Sequence, residues 1–263
     1  MSIAVVRASE QVDLRGALRK AKRRKLFASL YRIYAGFPET NCPGCARCCF
    51  ESPGLFFVEH VHLLDQLARM PQARQDELLR RALSELFFSW IDPQRTCIFL
   101  ESSRCILYGR RPLACRLFGL VSPHDREAAE AEARMAAREE ARRLSMLGIT
   151  VPEEIVTRAL LSCDRVRDGR GRPVRHVDAD VFAAQVARLD EVLLPRQVVL
   201  KEFCFRSLPD RLGAARWGGG VEAMRIDLLK RVHGDECVEG LVDQIWDLLK
   251  RDTSASAVAK EQR

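Results

Sequence analysis

Ten cysteines occur in this chain of 263 residues, and seven of them fall between residues 42 and 115. The first four stand as Cys42-Pro-Gly-Cys45-Ala-Arg-Cys48-Cys49, and Cys97, Cys105 and Cys115 follow. An isolated cysteine packs as a small hydrophobe, but four within eight positions exceed what core packing requires. Thiolates are the soft ligands of zinc and of iron–sulfur clusters, so this density predicts a metal site.

Two residues between cysteines let a tight turn aim both sulfurs at one point, with backbone freedom from Gly44 and stiffness from Pro43. Cys48 and Cys49 are adjacent, so their side chains diverge in a helical or extended backbone and do not both serve one ion. One of the pair is left for a second metal, a larger cluster, or no metal. The run Cys-x2-Cys-x2-Cys has the iron–sulfur spacing of ferredoxins, although the fourth cysteine follows at once instead of after three residues. A zinc ribbon needs two Cys-x2-Cys pairs joined by a short loop, whereas the second group here begins 48 residues after Cys49, at Cys97. Seven thiolates also exceed the ligand set of one tetrahedral ion. The expected cofactor is therefore an iron–sulfur cluster of the 4Fe–4S type, with zinc as the alternative. Cys163 is a candidate eighth ligand, but Cys163, Cys204 and Cys237 all lie in apolar, helical-looking stretches and read first as core.

The order Cys-x2-Cys-x2-Cys-Cys, then Cys97-Ile-Phe-Leu, then Cys105-Ile-Leu-Tyr-Gly-Arg-Arg-Pro-Leu-Ala-Cys115-Arg-Leu-Phe, resembles the YkgJ-type cysteine-cluster family of zinc- or iron-chelating domains. The resemblance covers residues 42 to about 118. It implies metal chelation by Cys42, Cys45, Cys48, Cys49, Cys97, Cys105 and Cys115 without fixing which bind directly. Flagellin lysine N-methylase is a distant relative of this kind, which gives S-adenosylmethionine-dependent methylation of a protein lysine as an alternative function. A glycine-rich loop after a strand is missing, and Gly218-Gly-Gly220 reads as a connector before a helix over Val221–Val232.

Around the last motif cysteine, Arg110, Arg111 and Arg116 are expected either to support a thiolate-rich centre through hydrogen bonds or to lie solvated at the surface. Tyr108 and Phe118 are expected to shield the site, and Phe99, Leu100, Ile106 and Leu107 to carry Cys97 and Cys105 on short buried segments. His60 and His62 stand two apart, on nearly opposite faces of a helix, and read as ordinary residues.

A chain of 263 residues that is 47% hydrophobic can bury a substantial core. Its net charge of +7 equals the seven cations of residues 15–25, Arg15, Arg19, Lys20, Lys22, Arg23, Arg24 and Lys25, so the remainder is neutral. With Leu14, Leu18, Leu26, Leu30, Ile33 and Tyr34 forming a stripe opposite these cations, residues 1–41 read as a basic amphipathic helix, chiefly a solvated face on a docked element. Residues 42–120 form the metal-binding region and residues 121–251 a helical region packed on it. Within that region the patterns predict helices over 124–147, from Pro152 to about Cys163, over 178–194, and a final one with apolar residues recurring every three or four positions. Residues 164–176 read as a loop and 252–263 as a disordered tail.

The fold class expected is mainly α, a helical domain with the cysteine-rich metal site in loops between helices. A disulfide framework suits short secreted domains, and without a recognisable signal peptide or an apolar run of 18 residues the chain is expected in the cytoplasm, with no transmembrane segment. The function expected is a metal-binding protein carrying out redox or group-transfer chemistry on a protein partner recruited by helical surfaces, with nucleic acid disfavoured. A zinc-stapled interaction module without catalysis is the further alternative.

Overall fold

A computed structural model describes residues 13–40, 46, 49–50, 52–158, 166–194, 206–217 and 220–261. The architecture is mainly α, as the periodicities require. Helix α1 (Leu14–Arg23) and α2 (Leu26–Tyr34) precede α3 (Phe57–Leu67) and α4 (Gln72–Phe88). A short antiparallel hairpin, β1 (Leu100–Glu101) with β2 (Arg104–Cys105), pairs Leu100 with Cys105. One 3-10 turn, Tyr108–Arg110, leads to α5 (Leu113–Leu117). The long α6 (Pro123–Met146) and the single-turn α7 (Glu153–Val156) follow, then α8 (Ala179–Leu193), α9 (Leu208–Trp217), α10 (Val221–His233) and α11 (Val238–Glu261).

Three apolar clusters hold these elements together. In the first, Ala17, Ala21, Leu26, Leu30 and Tyr34 of α1 and α2 pack on Phe57, Val58 and Val61 of α3 and on Val186 and Leu193 of α8. In the second, Leu83, Leu86 and Phe87 of α4 meet Leu228 and Leu229 of α10 and Leu241, Ile245 and Trp246 of α11. The third lies between α3 and α4 and contains Leu63, Leu78, Cys97, Ile98, Phe99, Leu107 and Leu208, with Cys49 and Cys105 packed against it. Helix α3 serves the first and third clusters at once, so it is buried almost all round, including Glu59, His60, His62 and Asp65.

The N-terminal segment departs from the single helix expected. Its apolar stripe does face the core, but the helix breaks at Arg24 and Lys25, where Lys25 adopts the left-handed conformation with φ 53°. The break lets α1 and α2 wrap separately around α3; Lys22 of α1 bonds the buried Asp65 of α3 at 2.6 Å, and Asp65 also binds Arg69 at 2.6 Å. Two further boundaries differ. Helix α7 ends at Val156, well short of Cys163, which lies outside the described residues. The last helix runs on to Glu261, through the segment expected as a disordered tail; residues 252–261 hold neither Gly nor Pro and include three alanines, so nothing local stops it.

Helices α6 and α8 begin where their sequences signal. Ser122 caps α6 by accepting from the Asp125 N–H at 3.1 Å, with Pro123 at the first helical position, and Asp178 caps α8 by accepting from Asp180 and Val181 at 3.0 and 3.2 Å. Helix α6 is largely exposed, with ion pairs Arg143–Glu140 at 2.6 Å and Arg134–Glu130 along it. Among the described residues no helix is long and apolar enough to cross a membrane.

Candidate metal centre

Four of the seven motif cysteines lie within the described residues, and each arrives on a different piece of backbone. Cys49 precedes α3, Cys97 lies in the connection after α4, Cys105 ends β2, and Cys115 is inside α5. The expectation of a site confined to loops therefore needs amending, because one of these cysteines sits in a strand and one in a short helix. Cys42, Cys45 and Cys48 lie outside the described residues.

Local bonds explain how the segments converge. Cys97 donates its backbone N–H to the Cys49 carbonyl at 2.8 Å, tying the first motif to the second. The Arg81 guanidinium of α4 donates to the carbonyls of Cys97 and Leu100 at 3.1 and 2.8 Å, which holds the turn into the hairpin. Pairing of Leu100 with Cys105 then carries the third cysteine back alongside Cys97. Glu59 of α3 accepts from the Leu113 N–H at 2.6 Å and from the Phe56 N–H at 2.9 Å, joining the start of α5, and hence Cys115, to the start of α3. Its remaining partner is the Tyr34 hydroxyl, whose ring lies 4.3 Å beneath the Arg116 guanidinium. The exposed-looking Pro112-Leu-Ala-Cys115 run is thus fixed from the core side by one buried carboxylate.

Cys49, Cys97, Cys105 and Cys115 all line a single cavity of about 440 Å³. Leu30, Leu55, Leu63, Phe99 and Leu107 supply apolar wall, and Tyr34, Glu59, His62, Gln66, Tyr108, Arg104, Arg110 and Arg111 its polar groups. A site for one water-sized sphere needs on the order of 10–15 Å³ by a comparable measure, so the space exceeds the needs of one ion by more than tenfold. Among the described residues no three of His, Cys, Asp and Glu already stand close enough to hold an ion. The thiol chemistry of the wall fits a soft metal, while the described thiols alone do not form a finished ligand set.

Burial dominates the electrostatics. It pushes the Cys97 thiol up to about 12, with the Phe99 N–H working in the opposite direction and Glu85 adding to the rise. Ser52 lies between the two, its hydroxyl 4.0 Å from Cys97 Sγ and 2.7 Å from Glu85 Oε2, while its N–H bonds Glu85 Oε1 at 2.8 Å. Burial raises Tyr34 and Glu59 as well, and in Glu59 the three bonds it accepts oppose that rise.

Sequence reading treated His60 and His62 alike, but the structure separates them. His60 is buried beside the Phe57 ring, away from the cavity, and burial together with Arg211 holds it well below the usual imidazole range. His62 is on the cavity wall, with Nε2 2.8 Å from the Tyr31 hydroxyl and no hydrogen-bond partner for Nδ1 among the described residues. Sequence reading placed Tyr34 only on the apolar stripe of the N-terminal helix and gave Glu59 no role. The one available signal for Glu59 was the concentration of Glu59, His60, His62, Asp65 and Gln66 among the apolar residues of 57–67.

The arginines also divide. Arg111 lies over the Tyr108 ring at 4.0 Å and, with Arg110, lines the cavity, whereas Arg116 turns to the carbonyls of Arg111 and Gly109 at 2.8 and 3.1 Å. Tyr108 is on the wall as expected but 43% exposed, and Phe118 is not on it.

Comparison with curated proteins and with solved structures gives no match. Residues 41–140, which contain all seven motif cysteines, match the family model CxxCxxCC, described as a putative zinc- or iron-chelating domain.

Proposed function

We propose that the protein binds an iron–sulfur cluster through the cysteines of residues 42–115 and uses it in redox or group-transfer chemistry on a protein partner. The observation that carries this reading is the convergence of Cys49, Cys97, Cys105 and Cys115 from four segments onto one cavity. Cys42, Cys45 and Cys48, separated from Cys49 by at most six residues in the sequence, bring the motif thiols to seven. Seven thiols and a cavity much larger than one ion suit a cluster better than a single tetrahedral zinc.

A bound iron–sulfur cluster supplies one-electron transfer, with a potential set by its charge, its hydrogen bonds and its exposure. The chain's own residues control those factors. Burial of Cys97 and Phe99 keeps water from one side, and Arg81 and Glu59 fix the backbones of two cysteine segments. The separately packed cluster between α4, α10 and α11 gives the protein a core that contains none of the motif cysteines. That favours a centre with a task over a metal whose sole role is to staple the fold.

The test is iron, zinc and acid-labile sulfide content with a visible absorption spectrum, on protein purified without oxygen. Matched iron and sulfide with broad visible absorption is the expected result. Colourless protein with stoichiometric zinc overturns the cluster and transfers the same ligands to a zinc site.

A further inference from the structure

We propose that the cavity beside the motif cysteines is also a binding site for a small organic anion with an apolar body, gripped by Arg110 and Arg111. The placement of this ligand next to a metal rests on the function proposed above; the anion preference rests on the cavity itself. About 440 Å³ lies within the range of small-molecule pockets, roughly 300–1,000 Å³. The space reaches from the thiols to Tyr34 and Glu59 on α2 and α3, so it is not confined to the cysteine wall.

Its charge is one-sided. Among the described lining residues the only acid is Glu59, which is 4% exposed and already accepts three hydrogen bonds, from Tyr34, Phe56 and Leu113. Against it stand Arg104, Arg110 and Arg111. None of these three has an ion pair with a carboxylate among the described residues. Arg110 donates to the Gln66 side-chain carbonyl, and Arg111 donates through Nε to the Tyr108 carbonyl at 3.2 Å while stacking on that ring. A guanidinium has five N–H donors, so most of those on Arg110 and Arg111 remain for a ligand. The stacking and the Tyr108 bond hold Arg111 in one orientation, and such pre-organisation limits the entropy lost on binding. A cationic ligand meets three arginines and a saturated carboxylate; a purely inorganic anion leaves the leucine and phenylalanine wall unused. A carboxylate, phosphate or sulfonate on an apolar body satisfies both surfaces.

The test uses phenyl phosphate, with benzylamine and inorganic phosphate as comparison probes, in calorimetric titrations of the protein purified without oxygen. Metal and sulfide are measured on the same samples. Phenyl phosphate is expected to bind at least about 10-fold more tightly than either comparison probe, the scale of one charge-assisted contact. In the double variant Arg110→Ala/Arg111→Ala its affinity is expected to fall at least about 10-fold, with metal content and melting temperature unchanged. Equal binding of benzylamine or of inorganic phosphate, unaltered affinity in the double variant, or no binding of phenyl phosphate overturns the inference. Loss of metal from the double variant overturns it as well, since the arginines then serve the thiolates. Arginine-dependent binding in protein that carries no metal supports the anion site and defeats the metal centre alone.

Discussion

At the scale of single residues, the cysteine-lined wall of the cavity depends on side chains far from one another in the sequence. Replacing Cys97 or Cys115 by Ser is expected to lower metal content at least severalfold, because serine offers a poor ligand to a soft metal. Replacing Cys237, which is exposed and bonded to Glu239 at 2.7 Å, is expected to leave it unchanged. Metal analysis of the three purified variants separates the motif from a general dependence on cysteine. Asp190 is the second residue whose importance comes from the fold. Fully buried on α8, it accepts from the N–H groups of Phe57 and Val58 at 2.7 Å each and so closes the first turn of α3. Asp190→Ala strands two buried donors and is expected to cost about 2–3 kcal/mol in urea unfolding. The sequence reading predicted a helix over 178–194 but gave no role to Asp190, since its partners are more than 130 residues away.

At the scale of elements, the turn between α1 and α2 and the polar content of α3 carry the consequences. Lys25 holds φ 53°, a left-handed conformation that costs a residue with a Cβ about 1–2 kcal/mol. Lys25→Gly is therefore expected to raise stability by up to about 1 kcal/mol, after the extra chain entropy of glycine, and a higher melting temperature would show it. Helix α3 makes stability depend on acidity in two windows. His60 is held below the ordinary imidazole value by burial and by Arg211, so below about pH 6.5 the unfolded chain gains a proton that the folded chain refuses, and stability falls with pH. Burial alone would raise Asp65, but its bonds from Lys22 and Arg69 prevail and hold it low. Its contribution is complete above about pH 4 and is lost as pH falls through its lowered folded value. Urea midpoints are expected to decline from near pH 6.5 in the native chain, less so in His60→Gln, and to decline further below pH 4 unless Asp65 is Asn. Sequence reading set His60 and His62 on a helix but could not give these pairings, because i, i+3 and i, i+4 patterns describe one helix and not its neighbours.

For the whole molecule, the arrangement of helices around α4 sets how closely the elements approach. A Cβ built on Gly213 of α9 would come within 2.7 Å of a Leu86 methyl carbon, and Leu86 is itself 3% exposed in the second core cluster. Gly213→Ala is expected to cost about 1–3 kcal/mol by overpacking, measured by chemical denaturation, with metal content retained at low temperature. What the sequence by itself determined is local: the mainly helical character, the helices over 124–147 and 178–194, the core-facing stripe near the N-terminus, and a cysteine density that packing does not explain. Each of these follows from residues within one or two turns of one another. Only the tertiary structure decided that Cys49, Cys97, Cys105 and Cys115 share a cavity with Tyr34, Glu59 and three arginines, that His62 faces that cavity while His60 does not, and that the basic helix breaks to wrap α3. Those outcomes depend on burying α3 on two sides at once, and that packing is a property of several distant segments together.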